Sequence, residues 1–407
     1  MEINMKNIIL VVIVGILLVG CRDHDEEITT YSNVIYYGDV NSDMVIGMDV
    51  ESMSLKSIVA SNGVNPYEIT AATNNDLYVI NRTDYNIGFY DSSINRITSE
   101  ISLNFMPRSL SIQGSDMLIS SVNEPSEAVV SDDTLSDTYS DSTYIQPTSF
   151  GGSNATGHPI WIDEQYFLLL DRTENTIELY KKGVYQPVSK VTTSSSVHHV
   201  MNRDGLFYGI LEGIQGGTAP GVIKFTVSNG QITVLLERLL SEFSGMPVDF
   251  QPATWGSHHG ALHPSTDYIY LGSAEGNVFV LDLATLNLAD TFVSGKGIGH
   301  FLFYNDILIT TNHYDNFKSF YDATQPTANR FIKNLYFSMT TYSGITMQSH
   351  TTHVLDGYLY FVFNTDVDST LFKINLSTLE VTDSLLMPGR YLLMGSVVST
   401  SLTTDGM

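Results

Sequence analysis

Three of the chain's 11 histidines fall within six residues, in the stretch "WGSHHGALHPSTDYIYLGSAEGNVFVLDL" (255–283). Ten of the 11 lie between positions 158 and 353, and most of these open a short apolar run. His158 begins "GHPIWI", His198 and His199 begin "VHHVMN", and His258 and His259 begin "SHHGAL". His300 begins "GHFLFY", and His353 begins "THVLDG" with His350 three residues before it. His313 sits in a different setting, "LITTNHYDNF". Converging neutral imidazoles are what Zn²⁺, Cu²⁺ or Ni²⁺ bind, and zinc takes four ligands, or three and a water. The local spacing matches neither a zinc finger nor a zincin helix. A shared site therefore requires the fold to gather distant histidines; otherwise each is structural and hydrogen-bonds the neighbouring repeat.

The elements that would gather them recur. A short apolar strand, a polar turn, a second strand ending in aspartate or a similar residue and then a third strand appear at 33–59, 75–101, 164–189, 266–293 and 356–386. Weaker copies occupy 115–140, 204–238 and 305–332. Apolar and polar residues alternate as in half-buried strands, and Asn, Asp, Gly and Ser mark the turns. Eight copies between residues 31 and 400 give about 46 residues each, the length of a propeller blade. Every copy but the first has one more strand upstream, and the tail "GRYLLMGSVVST" (389–400) is a strand without a repeat. Ring closure, in which the C-terminal strand completes the first blade, accounts for both and leaves no open sheet edge. The expectation is an all-β chain forming a single β-propeller of eight blades, or seven if the weak third copy, with its Ser/Asp-rich "SDDTLSDTYSDSTY" (131–144), is an insertion.

In such a ring the first strand of each blade lines the channel, and its start shares a face with the loop between the second and third strands. Neighbouring residues of a regular strand point to opposite faces, so one member of each His-His pair is expected to reach the channel. The expected metal ligands are His158, His199, His259, His300, His313 and His353, with His198, His258, His263 and His350 as outer partners or alternates. Asp84, Asp171, Glu212, Asp315 and Asp366 lie in loops on that face, either completing a site or acting as turn formers. Trp161 and Trp255 flank histidine-bearing starts, and "EGIQGGTAPG" (212–221) reads as a flexible rim.

The strands "LYVINRTDYNIGFYD" (77–91) and "IYLGSAEGNVFVLDL" (269–283) resemble the YVTN-type and quinoprotein-like propeller repeats of secreted bacterial proteins. The pair in "SVHHV" (196–200) resembles the adjacent histidines with which nitrous-oxide reductases hold copper, although the cysteine-rich copper domain of those enzymes has no counterpart in a sequence with one cysteine. "SHHGALH" (257–263) is similar in kind to the histidine sites of periplasmic zinc-metallochaperone propellers, whose His-rich mobile loop is matched here by no more than His24. That resemblance implies zinc storage or delivery, with a metal transporter or another envelope protein as partner.

At the N-terminus, Lys6 precedes an apolar run from Ile8 to Val19, too short for a comfortable bilayer span and fitting the core of a secretory signal. Leu18-Val19-Gly20-Cys21 resembles a bacterial lipobox, which implies cleavage after residue 20 and lipid attachment at Cys21. Residues 21–30 then form a polar tether, 31–400 the propeller and 401–407 a tail. Arg22 after the cysteine points to the outer rather than the inner membrane of a cell envelope. The net charge of −25, from 44 acidic and 19 basic residues, argues against nucleic-acid binding, which needs a basic footprint. No nucleophile elbow and no serine, histidine and aspartate in a triad order appear. Three classes of function remain: a lipid-anchored protein that stores or delivers zinc or copper, a metal-dependent hydrolase or lactonase, and a surface scaffold for protein or glycan with structural histidines.

Overall fold

The computed structural model describes residues 30–71, 76–114, 116–122, 127–131, 142–145, 156–184, 186–213, 217–243, 259–328, 330–337 and 347–402. The proposed signal, Cys21, His24, Trp255 and His258 lie outside them. The strands form eight antiparallel sheets of four, one per repeat. The third copy is a full blade, since Ser142–Ile145 pairs with Glu127–Ser131 as its outermost strand. Blade 1 is closed as expected: Leu392–Leu402 is its innermost strand and pairs antiparallel with Thr30–Asp39, with Val34 opposite Val398.

Burial explains why the repeats read as they do. Middle strands such as Asn86–Asp91 and Tyr166–Asp171 are sandwiched between neighbouring blades and buried on both faces, so they are nearly continuous apolar runs. Outermost strands such as Ser54–Ala60 alternate exposed and half-buried positions. The apolar residues collect into eight clusters, each spanning the wedge between two adjacent blades. The cluster closing the ring packs Ile35, Tyr37 and Met48 of blade 1 against Tyr360, Val362 and Leu371 of blade 8. The one between blades 3 and 4 includes Leu118, Phe167, Leu169 and Tyr180 among the described residues.

At most junctions the innermost strands of successive blades pack against one another around the axis, and most of these strands are irregular at the same end. Six carry a β-bulge near their first residues. The extra residues are Tyr67 in blade 2, Arg108 and Ser109 in blade 3, His198 in blade 5 and Gly299 in blade 7. In blade 8 Ser349, His350 and Thr351 oppose Val362 alone, and in blade 1 Leu393 and Met394 oppose Gly38. A bulge leaves a residue outside the ladder and re-aims its side chain. Here that happens at one end of one channel.

Candidate metal centre

Residues from all eight blades line a cavity of about 420 Å³ at the bulged end of the channel. Two slots per blade supply it. The first is the start of the innermost strand, occupied in blades 1 to 8 by Met394, Tyr67, Arg108, His158, His198, His259, His300 and His350. The second is the residue after the next strand, which antiparallel pairing places at the same end; Arg82, Val122, Arg172 and His313 reach the cavity from it.

The histidines form two groups of three. His158, His198 and His259 have ligand nitrogens within 4.8 Å of one another, and so do His300, His313 and His350. The groups adjoin, because the rings of His259 and His300 are 4.2 Å apart between centroids. His199 lies beside the first group, 4.9 Å from His259. Both members of the His198–His199 pair thus approach His259, which a regular strand forbids. The reason is the bulge: Val197 pairs with Leu211 and His199 with Ile210, leaving His198 as the extra residue.

His353 belongs to neither group. It pairs in register with Tyr360, past the bulge, and its ring stands edge-on to Tyr37. His263 is buried between blades 6 and 7, where its Nδ1 accepts from the Ser265 amide and its Nε2 faces the Ala323 carbonyl at 3.1 Å. That fixes Nε2 as the protonated nitrogen and gives His263 a role in packing, against Tyr270 and Phe303.

Neighbours orient the rings. His313 Nδ1 lies 3.2 Å from the Gln348 carbonyl, so it carries the proton and Nε2 keeps a lone pair. A side chain at Gly299 would collide with the His313 ring, so glycine is required for this approach. His158 Nδ1 is 3.0 Å from Ser109 Oγ. Glu212 Oε1 lies 3.1 Å from His198 Nδ1, while its carboxylate takes a two-pronged contact from Arg172 at 2.8 Å on each oxygen. Of the five acidic loop residues singled out from the sequence, Glu212 alone contacts a cavity histidine among the described contacts. Asp171 accepts the Thr173 amide of its own turn, Asp84 and Asp315 accept the amides of Val64 and Lys296 in the segments that lead into the same blades, and Asp366 is exposed.

Burial is the main cause that holds His259 and His300 well below the usual imidazole range, and the surrounding histidines add to it. Burial holds His199 and His353 down to about 4. Such rings are neutral at pH 7, the form that ligates metal. Three imidazole nitrogens around zinc sit roughly 3.3 Å apart for bonds of 2.0–2.1 Å, so each group would contract modestly around an ion. The donor set fits a borderline-soft divalent cation. The arginine and tyrosine slots of blades 2 to 4 were not anticipated from the sequence. Their signal was positional: they occupy the place in the repeat that histidine takes elsewhere.

No protein-family model matches the chain, and no curated protein matches it. Solved structures do. Apo AztD from Citrobacter koseri superposes with a TM-score of 0.62 at 9% identity, covering 92% of this chain and 99% of that one. The dihydro-heme d1 dehydrogenase NirN, in complex with DHE, gives 0.65 at 11% identity over 90% of this chain and 74% of its own. BamB from Moraxella catarrhalis gives 0.57 at 11% identity, covering 83% of this chain and 91% of that one. The chain is an eight-bladed β-propeller similar in architecture to these proteins, with histidine groups in its channel that are compatible with metal binding.

Proposed function

We propose that this protein binds zinc or copper in its channel and serves to store or deliver the metal within a cell envelope. The observation that carries this reading is the meeting of two histidine triads, from blades 4 to 8, in one cavity. Structural histidines bond individually to their own neighbourhoods, as His263 does; these six face one another. His199 is a further donor, since its buried Nδ1 has no hydrogen-bond partner among the described residues. The fold likeness to AztD accords with the resemblance to periplasmic zinc metallochaperones noted in "SHHGALH".

Untagged protein stripped with chelator and reconstituted with Zn²⁺ or Cu²⁺ is expected to retain up to two ions per chain, counted by elemental analysis and native mass spectrometry. Its melting temperature rises with free metal, because binding to the folded state alone adds about 2.7 kcal/mol at a hundredfold excess over Kd. Protein that retains no ion and melts unchanged would be a scaffold with structural histidines.

The second part of the proposal is the anchor: lipid attached at Cys21, with residues 22–30 as the tether and the outer membrane as the site. Cys21→Ser chains are expected to leave the membrane fraction, with the propeller still folded. Wild-type and variant chains partitioning identically would remove the anchor from the proposal without touching the metal site.

A further inference from the structure

The cavity has a second half that imidazole chemistry does not use. Blades 2 and 3 place Tyr67 and Arg108 in the slots that blades 4 to 8 fill with histidine, and Arg82 and Arg172 enter from the second slot. Three guanidinium groups thus line one cavity of a chain whose net charge is −25.

Their counter-charges are unequal. Arg172 is matched by Glu212. Arg82 stacks over the Tyr67 ring, 3.1 Å from its centroid, and neither it nor Arg108 forms a carboxylate ion pair among the described residues. Among the described residues, the Nε atoms of both arginines are buried without a hydrogen-bond partner, and so is Glu68 Oε2. Burial first, then the proximity of Arg172 and Arg82, holds Arg108 down to about 10. Burial pushes the Glu68 carboxyl up to about 7, against the pull of Thr70, Arg82 and Arg108, so it supplies a negative charge only in part at neutral pH. Two buried cations with unsatisfied donors are costly unless a ligand compensates them. A guanidinium edge offers parallel N–H donors that match a carboxylate or phosphate in two-pronged fashion, which a halide cannot exploit.

We propose that the arginine half of the channel binds a compact oxyanion carrying at least two negative charges, held by Arg82 and Arg108 beside the histidine groups. The ligand class is the small polycarboxylate or phosphate-type anion, which the cavity has ample room to admit. Occupancy brings the donors of both arginines into use and leaves the Arg172–Glu212 pair intact. The proposal goes beyond the metal reading and does not need it, since the arginines and their unsatisfied donors are present whether or not the histidines hold an ion.

The test uses the full chain, stripped of metal with chelator, at pH 7 and low ionic strength. Inorganic phosphate, malonate and acetate are titrated separately by calorimetry. Phosphate or malonate is expected to bind at a single saturable site at least about tenfold tighter than acetate. Arg82→Gln and Arg108→Gln each weaken that binding about tenfold or more, whereas Arg108→Lys, which keeps the charge and loses the fork, falls between. Lys56→Gln, a substitution at an exposed cation remote from the cavity, leaves it unchanged. Melting curves establish that each variant is folded. The proposal is overturned if folded wild-type protein shows no saturable binding of either dianion up to roughly 10 mM, or if both arginine substitutions leave the affinity unchanged. Because the protein is metal-free, a failure of zinc binding does not alter either outcome. Preference for phosphate over malonate, or the reverse, identifies which member of the class the site favours.

Discussion

Replacing His259 with alanine is expected to lower the metal stoichiometry by one ion per chain and to weaken the affected site by about 100-fold or more. His259 is the ring that joins the two triads: it shares a group with His158 and His198 and lies 4.2 Å from His300 of the other. Its loss leaves the triad with His158 and His198, and the remaining donor His199 stands 6.0 Å from His158 between ring centroids, so the three protein ligands typical of zinc sites that keep an open position are no longer gathered. Disturbing an outer partner of a ligand already costs 10–100-fold in affinity, so removing a ligand costs at least that much. His300→Ala should do the same to the second group, and the double variant should bind no ion stoichiometrically. His263→Ala is the contrasting change. It removes the bond to Ala323 and packing between blades 6 and 7, so it lowers the melting temperature and leaves metal stoichiometry alone. Competition titration against a chromophoric chelator reads both quantities. Unaltered stoichiometry in His259→Ala and His300→Ala would remove the shared site.

The sequence disclosed the ring more completely than the site, and the reason is physical. Middle strands such as Tyr166–Asp171 are buried on both faces and the outermost strands on one, which writes the blade period directly into hydropathy. Closure was legible because the first repeat lacked an upstream strand and Leu392–Leu402 lacked a repeat. The recurrence of histidine at blade starts marked the right end of the channel. What alternation could not show was the set of bulges. A strict period of two sends one member of His198–His199 away from the axis, yet the extra residue at His198 keeps both near His259. In blade 8 the same irregularity places His350 in the cavity and leaves His353 in the regular ladder opposite Tyr360. An inserted residue costs the ladder little and follows no composition rule, so register at these starts is settled by packing of the neighbouring blades. Arg82, Arg108 and Tyr67 are hidden in the sequence for a different reason: they share with the histidines a position in the repeat and not a residue type.

The metal-free protein is expected to lose stability steeply as pH falls from about 6.5 towards 4. His199 and His353 are held down to about 4 by burial, and His259 and His300 are also lowered. In the unfolded chain these rings titrate near 6.5. Above that pH they are neutral in both states and contribute no pH dependence. Below it the unfolded chain takes up protons that the folded chain refuses, so stability drops by about 1.4 kcal/mol per pH unit for each such ring until its folded pKa is reached. For His199 and His353 alone that approaches roughly 7 kcal/mol once the interval from above pH 6.5 to below pH 4 is crossed, comparable to the whole stability of an ordinary domain. Glu68 works in the opposite sense, because its raised pKa makes the folded state the better proton acceptor between its unfolded value and about 7. It offsets part of one histidine's effect. Acidification also relaxes the self-repulsion of a chain with a net charge of −25, so the histidine contribution is best read by difference. His353→Gln removes one titrating ring that lies outside both triads, and should flatten the dependence between pH 6 and 4.5 by about 1.4 kcal/mol per pH unit. Zinc should raise stability most at pH 7 to 8, with the loaded and stripped curves converging towards pH 5 as protons displace the ion. Urea titrations across this range measure all three curves. Equal slopes for wild type and His353→Gln would show that the imidazole is solvated rather than enclosed, and a zinc increment that persists unchanged at pH 5 would mean that the ligands are not histidines.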